Sequence, residues 1–349
     1  MAHDNVGSLS SESELIIRIN VHCATEENVV QTVKDDKQVV LALGGNAIIR
    51  KGDSGDFYSQ WDNVYESMKP VVDLIAEGYD FLITHGNGPQ VGALMLMVDQ
   101  SRGVVPETPL GVADAMTEGS MGYMIEQNIQ NLMIKKGIWK NVVTIPTQVV
   151  VDRRDPALQN PTKPIGPFYD EAEALTLAQE NNWVVKEDAG RGWRRFVASP
   201  YPLDVVEKEA IRLLHEKGYV VVTGGGGGIP VYYEDDGSLE GVDCVIDKDL
   251  ASMKLALTVG CRTLVIITGV PAVAVGFGTP EEKTLSEMTL AEARYYMAQG
   301  EFPAGSMGPK IQAAIEFVQA DPENKVIITD VESLKEALDG NSGTVIKAF

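Results

Sequence analysis

Three lysines have sequence neighbours that suggest a role in chemistry. Lys163 lies between two prolines in NPTKPIGPF, which restrict the backbone and aim the side chain. Lys248 closely follows five glycines, and Lys310 lies at a predicted helix start, where a cation opposes the helix dipole unless an anion is bound. With Asp249, these lysines could neutralise an anion. Alternatively, the lysines are ordinary surface residues and Asp247 or Asp249 is a helix N-cap.

Glycine-rich turns follow four apolar runs of the chain. They comprise Gly44–Asn46, Gly86–Gly88, Gly224–Gly228 and Gly269. Turns without side chains let backbone amides approach an anion closely, which predicts a phosphate or carboxylate site. The alternatives are tight strand-to-helix connections for the shorter turns and a flexible linker for the five-glycine run, although that run is flanked by apolar residues rather than serines.

Familiar nucleotide and catalytic signatures are missing from the sequence. It contains no G-x-x-x-x-G-K-[ST], and neither glycine cluster forms a G-x-G-x-x-G that opens a helix. A Walker-type ATPase and a simple Rossmann dehydrogenase are therefore disfavoured. His85 is the only histidine near a glycine turn, and we expect it to be packed in the protein rather than catalytic. No set of metal ligands is apparent.

The elements that position these residues alternate between strands and helices. From residue 38 onward, apolar runs such as VVLALGGN, YDFLITHGNG, NVVTIPTQVVV, YVVVTGGGGG and RTLVIITGV are separated by helical stretches, the first over 61–77. This pattern predicts an α/β fold with a mostly parallel sheet covered on both faces. Ligands then bind beyond the carboxyl ends of the strands, so the four turns should face one crevice. Proline-rich residues 152–203 interrupt the rhythm, which predicts a small inserted lid.

Composition limits the partners that this chain could have. Its 349 residues carry a formal charge of -21 with no lysine-rich stretch, which disfavours nucleic acid and anionic membranes. Three scattered cysteines indicate a reducing compartment, which we take to be the cytoplasm. No apolar run is long enough to span a membrane. Residues 1–37 are polar and acidic, which predicts an extension of unknown role, with a cleaved leader as the alternative. We expect turnover to persist without them.

Eight motifs of the sequence closely resemble those of the carbamate kinases. They are ALGGNAI, HGNGPQVG, GSMGY, NPTKPIGP, KEDAGRGWR, GGGGIPV, IDKDLAS and GSMGPKI. The resemblance runs from about residue 39 to the C-terminus and includes the inserted segment. It implies a three-layer α/β/α sandwich of the amino acid kinase fold, a homodimer, and reversible phosphoryl transfer between carbamoyl phosphate and ADP, giving carbamate and ATP. It also implies a place in arginine fermentation.

The resemblance assigns roles residue by residue. It implies a carbamate- and phosphate-binding part over 38–151 and a nucleotide-binding part over 204–349, with the lid over 152–203 inside the 38–349 domain. The implied catalytic residues are Lys163, Lys248, Asp249 and Lys310. The implied substrate-binding residues are Gly44, Gly45, Asn46, Gly86, Asn87 and Gly88. The implied nucleotide-binding residues are Gly225, Gly226, Gly227, Gly228, Gly269, Val270 and Met307.

Further expectations concern the cofactors and two unusual positions of the sequence. Mg²⁺ is expected to arrive with ATP or ADP, held by phosphate oxygens rather than by a protein cage, and no organic cofactor is expected. The sequence departs from the family pattern at Glu118, where glutamine is expected, and at Gly224, where another small residue is expected.

Two alternatives to a carbamate kinase stay open at the level of sequence. A second hypothesis is a different amino acid kinase acting on a small carboxylate or UMP. A third is a nucleotide sensor without catalysis.

Overall fold

A computed structural model gives the structure of the protein and describes residues 37–50, 52–188, 190–303 and 305–349. The expected extension, residues 1–37, lies outside the described residues except for Lys37. Within the described ranges the strands are β1 (Gln38–Leu43), β2 (Asp80–His85), β3 (Val142–Ile145), β4 (Gln148–Val150), β5 (Lys163–Tyr169), β6 (Val184–Glu187), β7 (Trp193–Val197), β8 (Asp204–Val205), β9 (Val220–Thr223), β10 (Ile229–Tyr233), β11 (Leu239–Gly241), β12 (Thr263–Ile267), β13 (Val273–Val275), β14 (Lys283–Leu285), β15 (Glu287–Thr289), β16 (Lys325–Thr329) and β17 (Thr344–Lys347).

The helices begin and end at well-defined residues. They are α1 (Phe57–Ala76), α2 (Gly88–Gln100), α3 (Leu110–Lys135), α4 (Glu171–Asn181), α5 (Lys208–Glu216), α6 (Lys248–Val259), α7 (Leu290–Ala298), α8 (Met307–Ala320) and α9 (Leu334–Leu338). Helix α1 begins four residues before the predicted start at residue 61, because the Asp56 carboxylate caps it by accepting from two backbone amides.

An eight-stranded sheet forms the centre of the fold, in the order β15-β17-β16-β12-β1-β2-β9-β3. Every neighbouring pair is parallel except β16 and β17. Parallel strands need crossover connections, and the helices supply them. The mostly parallel sheet predicted from the sequence is confirmed.

Alternating side chains of the sheet build two hydrophobic layers. In β1, Val40 and Ala42 pack with residues of α5, α6, α7 and α8, whereas Val39, Leu41 and Leu43 pack with residues of α1, α3 and α9. Because both faces of the strand are covered by helices, β1 is apolar throughout. The result is the expected three-layer α/β/α sandwich.

Residues 152–203, the segment expected to form a lid, contain an antiparallel sheet of their own. Its strand order is β5-β7-β6, and α4 lies between β5 and β6 in the chain. Strand β5 contacts α2 closely: a Cβ atom added to Gly92 of α2 would lie 1.9 Å from the Cα of Gly166. The two backbones therefore touch where this segment meets the central domain.

The prediction of one continuous strand over the run NVVTIPTQVVV is wrong. The run NVVTIPTQVVV is divided at Pro146 into β3, which belongs to the central sheet, and β4, which belongs to a separate sheet ordered β11-β10-β4-β8. Proline has no backbone N–H to donate to a ladder, so the strand cannot continue through it.

Among the helices of the described residues, none has the length and apolar character that crossing a bilayer requires.

Candidate active site

The candidate site lies at the carboxyl edge of the central sheet. Strands β12, β1, β2 and β9 are parallel neighbours, so the turns that follow them come together. Gly45, the three residues of the Gly86–Gly88 turn and Gly226 line a cavity of about 190 Å³ at this edge. The prediction that the glycine turns share one crevice is confirmed for three of the four turns.

A buried carboxylate joins two of the predicted lysines in this cavity. Asp249, in the first turn of α6, accepts from Lys248 Nζ at 2.6 Å through Oδ1 and from Lys310 Nζ at 2.9 Å through Oδ2. Lys310 comes from the first turn of α8, which packs on α6. The aliphatic part of Lys248 passes over Gly86, since a Cβ atom there would be 3.5 Å from Lys248 Cδ. The Lys248 side chain therefore packs directly against the backbone of Gly86.

Burial and charge together set the protonation of this triad. Burial alone would raise the pKa of Asp249, but Lys248 and Lys310 hold it below its usual range. Burial also lowers the pKa of Lys248, an effect that Asp249 partly offsets. For Lys310 burial is again the largest single effect and lowers the pKa, but the charge and hydrogen bond of Asp249 and the charge of Asp247 together outweigh it and raise the pKa. One carboxylate thus serves two lysines that line the cavity.

The third lysine is held by a different carboxylate. Lys163, the first residue of β5, donates from Nζ to Asp247 Oδ2 at 2.6 Å. The other oxygen of Asp247 caps α6, accepting from the backbone N–H groups of Asp249 and Leu250. Asp247 is thus the N-cap, one of the two assignments considered from the sequence. The sequence did not predict that Asp247 also binds Lys163.

Three helix N-termini add to the positive potential of the cavity. Gly88 begins α2, Lys248 begins α6, and Ser306 precedes α8; all three residues line the cavity. Helix N-termini carry partial positive charge and free N–H groups, which favour anions. Within a chain of formal charge -21, this edge of the sheet concentrates positive charge, which would favour an anionic ligand.

Residues 37–330 match the sequence profile of the amino acid kinase family. The carbamate kinase of Pyrococcus furiosus is 49% identical over 312 residues, covering 89% of this chain and 99% of that protein. The chain belongs to the carbamate kinases. Two solved structures of carbamate kinase from Giardia lamblia are similar to this chain, and each match covers 89% of this chain and 98% of the solved chain. The structure bound to citric acid has a TM-score of 0.85 at 42% sequence identity. The structure bound to AMP-PNP has a TM-score of 0.82 at 43% sequence identity. The resemblance inferred from the motifs is confirmed.

Packing in this structure leaves no room for side chains in the glycine run Gly225–Gly228. Added Cβ atoms would lie 2.3 Å from His85 Nε2 at Gly225, 2.2 Å from Asn87 Nδ2 at Gly226, 2.4 Å from Ile246 O at Gly227 and 2.2 Å from Val149 Cγ2 at Gly228. Three of these four residues also have positive φ angles. Of the run, Gly226 lines the cavity. A nucleotide-phosphate role for Gly225–Gly228 stays a prediction.

Several residues assigned through the carbamate kinase motifs are not in the lining of the cavity. They are Gly44, Asn46, Gly225, Gly227, Gly228, Gly269, Val270 and Met307. Gly269 follows β12 and meets the first turn, since a Cβ atom there would be 2.2 Å from Asn46 Nδ2. Met307 directly follows Ser306, and of these two residues Ser306 lines the cavity. A substrate or nucleotide role for these residues stays a prediction.

Polar residues of α3 beneath the cavity were not predicted as part of the site. Asn87 Nδ2 donates to Asp114 Oδ1 at 2.9 Å and to Thr117 Oγ1 at 2.8 Å, and all three side chains are buried. Burial raises the pKa of Asp114 to about 8. A signal was present in the sequence, because Asp114, Thr117 and Glu118 share the helical spacing of the buried residue Met121.

His85 and Glu118 complete this buried polar layer. The His85 side chain is 1% exposed, and burial lowers its pKa to about 4, so the imidazole is neutral. The expectation that His85 is a packed residue is confirmed. Glu118 accepts from the Thr147 N–H at 2.7 Å, and burial raises its pKa well above the usual range. Burial thus favours the protonated form of this glutamate, which lies where the resemblance to carbamate kinases leads us to expect glutamine.

Proposed function

We propose that this chain catalyses reversible phosphoryl transfer between carbamoyl phosphate and ADP, giving carbamate and ATP, at the cavity lined by Lys163, Lys248, Asp249 and Lys310. The observation that carries the proposal is the pair of lysines held on Asp249 beside two glycine turns. A cavity of about 190 Å³ suits a small anion next to a phosphate. The turns at Gly44–Asn46 and Gly86–Gly88 would bind carbamate and the transferred phosphate.

The chemistry asks mainly for positioning and charge neutralisation. The transferred group passes between two anionic oxygens through a loose, metaphosphate-like transition state. Lys248 and Lys310 would stabilise the charge that spreads over its oxygens, while Asp249 keeps their ammonium groups in place. The attacking oxygen of carbamate is already anionic, so no general base is needed. The neutral, buried His85 fits this absence of a base.

Mg²⁺ is part of the nucleotide substrate in this proposal. Both carboxylate oxygens of Asp249 accept hydrogen bonds from lysines. Those of Asp247 accept from Lys163 and from the backbone N–H of Asp249. These carboxylates are therefore not free to bind a metal ion in this arrangement. Phosphate oxygens and water would hold the ion, which would neutralise part of the phosphate charge. The nucleotide would extend from the cavity toward Gly225–Gly228, Gly269, Val270 and Met307.

A coupled assay for ATP formation from ADP and carbamoyl phosphate tests this function. We expect ATP to form with carbamoyl phosphate and no phosphorylation of glutamate, acetylglutamate, aspartate or UMP when ATP is supplied. Phosphorylation of one of those compounds without ATP formation from carbamoyl phosphate would identify another amino acid kinase. Nucleotide binding with no turnover in either assay would identify a sensor.

The physiological setting is a further part of the proposal. ATP synthesis during arginine fermentation in the cytoplasm follows from the family resemblance. A strain lacking this chain is expected to accumulate carbamoyl phosphate when it grows on arginine, and a strain with unchanged growth and unchanged carbamoyl phosphate would contradict the assignment.

A homodimer also belongs to this proposal and is supported by an exposed aromatic cluster. In α1 the Phe57 ring contacts the rings of both Tyr58 and Trp61. The centre of the Trp61 ring lies 5.6 Å from that of the Tyr123 ring in α3. Tyr58 is 79% exposed and Tyr123 is 55% exposed. Light scattering should give twice the chain mass of 37.8 kDa. The double substitution Tyr58→Ser and Tyr123→Ser should shift the protein toward monomer, and a monomeric wild-type protein would contradict the proposal.

A further inference from the structure

Asn87 occupies a central position in the candidate site. It follows β2, precedes the first residue of α2 and lines the cavity between Gly86 and Gly88. The residue is 2% exposed, so its amide has few ways to satisfy its hydrogen bonds. The partners of its two polar atoms, Nδ2 and Oδ1, can therefore be examined one at a time.

The amide nitrogen of Asn87 is directed toward helix α3. Nδ2 donates to Asp114 Oδ1 and to Thr117 Oγ1. The Thr117 hydroxyl has a single proton, which it donates to the backbone oxygen of Asp114 at 2.7 Å. Toward Asn87 the hydroxyl can only accept. The amide therefore cannot exchange its nitrogen and oxygen, whether Asp114 is protonated or ionised.

A glycine on the other side of the amide restricts its movement. A Cβ atom added to Gly226 would lie 2.2 Å from Asn87 Nδ2 and 2.7 Å from Oδ1. The amide therefore lies against the bare backbone of the glycine run. Helix α3 and this run together fix the plane of the amide as well as its direction.

The remaining polar atom of this side chain is Oδ1, an acceptor. Across the described ranges, the hydrogen bonds of this side chain are those donated by Nδ2, and none is donated to Oδ1. The charged side chains that line the cavity are three lysines and the carboxylates of Asp247 and Asp249, which form ion pairs with those lysines. The Ser306 hydroxyl is the other neutral polar side chain in the lining. A neutral acceptor in such a cavity suits a ligand that carries an N–H group as well as negative charge.

We propose that Asn87 determines specificity for the amino group of the substrate: its Oδ1 accepts a hydrogen bond from the N–H of carbamate or carbamoyl phosphate. Asp114 and Thr117 are positioning residues that keep Oδ1 directed at the substrate. This proposal rests on the proposed function of the same cavity. It adds the means by which an acyl phosphate with an amino group is distinguished from one with a methyl group.

The discrimination has a simple physical origin. Acetyl phosphate matches carbamoyl phosphate except that a methyl group replaces the amino group. Bound in the same way, it would leave the fixed Oδ1 of Asn87 desolvated and without a donor, which costs roughly 10- to 100-fold in affinity. An unfixed amide could turn its own N–H groups elsewhere and would discriminate less. Orientation by Thr117 is therefore part of the selectivity.

The test compares kcat/KM for carbamoyl phosphate and acetyl phosphate, each with ADP, in full-length wild-type protein and in variants. We expect Asn87→Ala to lower the preference for carbamoyl phosphate by at least about 10-fold. Thr117→Val, which removes the accepting hydroxyl, should lower the same ratio. Thr117→Ser is the matched control, because it keeps the hydroxyl and should keep the wild-type ratio. If acetyl phosphate is not turned over, its inhibition constant against carbamoyl phosphate replaces kcat/KM.

Distinct results overturn distinct parts of the argument. Equal losses with both substrates in Asn87→Ala would give Asn87 a structural role only and overturn the proposal. A wild-type ratio in a folded Thr117→Val variant, judged by its melting temperature, would overturn the positioning role. If Thr117→Val does not fold, the ratio measured in Asn87→Ala still decides the proposal. Absence of ATP formation by the wild-type protein from carbamoyl phosphate would instead overturn the proposed function itself.

Discussion

The ammonium group of Lys163 lies 2.6 Å from the carboxylate of Asp247. This contact joins β5, in the inserted segment, to the residue that caps α6, the helix of Lys248 and Asp249. The Lys163 side chain is 30% exposed, whereas Lys248 and Lys310 are more deeply buried. Of the three lysines, Lys163 is therefore the one whose position depends on how the inserted segment meets the central domain.

Replacing Lys163 tests whether it acts on the transferred phosphate. We predict that Lys163→Ala lowers kcat by roughly 10² to 10³, the usual loss on removing one preorganised charge donor, and changes ADP affinity little. Lys186→Ala is the matched control, because Lys186 lies in the same segment but donates to the Pro161 carbonyl oxygen. Steady-state kinetics and calorimetry with ADP measure the two effects. Lost ADP binding with turnover retained at saturation would place Lys163 in nucleotide binding instead.

Asp249→Asn keeps the shape of the side chain and removes its charge. Two buried ammonium groups would then lack a counterion, and loss of one partner of a buried ion pair typically costs about 3 to 5 kcal/mol. We predict a lower melting temperature and a loss of about 10² or more in kcat, with a smaller change in KM for ADP. As a control, Asp73→Asn removes an exposed partner of Lys136 and should change neither property appreciably. Wild-type turnover in Asp249→Asn would exclude the proposed role.

Glu118→Gln should stabilise the protein more strongly as pH rises. Burial raises the pKa of Glu118 in the folded state, so above a pH of about 4.5 the unfolded chain loses this proton while the folded chain keeps it. Folding stability then falls with increasing pH, by up to about 1.4 kcal/mol per pH unit. Glutamine has no such proton and can still accept from the Thr147 N–H. Melting temperatures from pH 5 to pH 8 should show a widening difference from wild type, and a constant difference would show that Glu118 is not the titrating group.

Gly92→Ala should disturb the site from a distance. Its new methyl group would overlap Gly166 of β5 and push the strand that carries Lys163 away from α2. We predict a loss of about 1 to 3 kcal/mol in stability and at least a tenfold loss of kcat/KM for carbamoyl phosphate. Gly119→Ala is the control: it also lies in a helix, with no atom within 4 Å of the added methyl, and alanine should stabilise the helix by up to about 1 kcal/mol. Equal behaviour of the two variants would show that the contact between Gly92 and Gly166 is not needed.

Much of the fold could be predicted from local patterns in the sequence. Apolar runs alternating with helices indicate a parallel sheet covered on both faces, because such strands must be apolar on both sides. Glycines after these runs mark the carboxyl edge, where parallel neighbours bring their turns together. The motifs identified the lysines and Asp249 because each motif is a short continuous stretch. The run through Pro146 was misjudged, since a proline within an apolar run marks a break that the alternation alone does not show.

Contacts between distant segments were decided by the tertiary structure alone. The pairing of Lys163 with Asp247 joins residues 84 positions apart, and the bond from Asn87 to Asp114 joins residues 27 apart. Neither periodicity nor composition specifies which side chain fills a given space, because that depends on how the helices pack on the sheet. The same holds for the glycine run, whose backbone must be bare since His85, Asn87 and Val149 lie against it. The sequence thus determined which elements reach the edge of the sheet, and packing determined which atoms meet there.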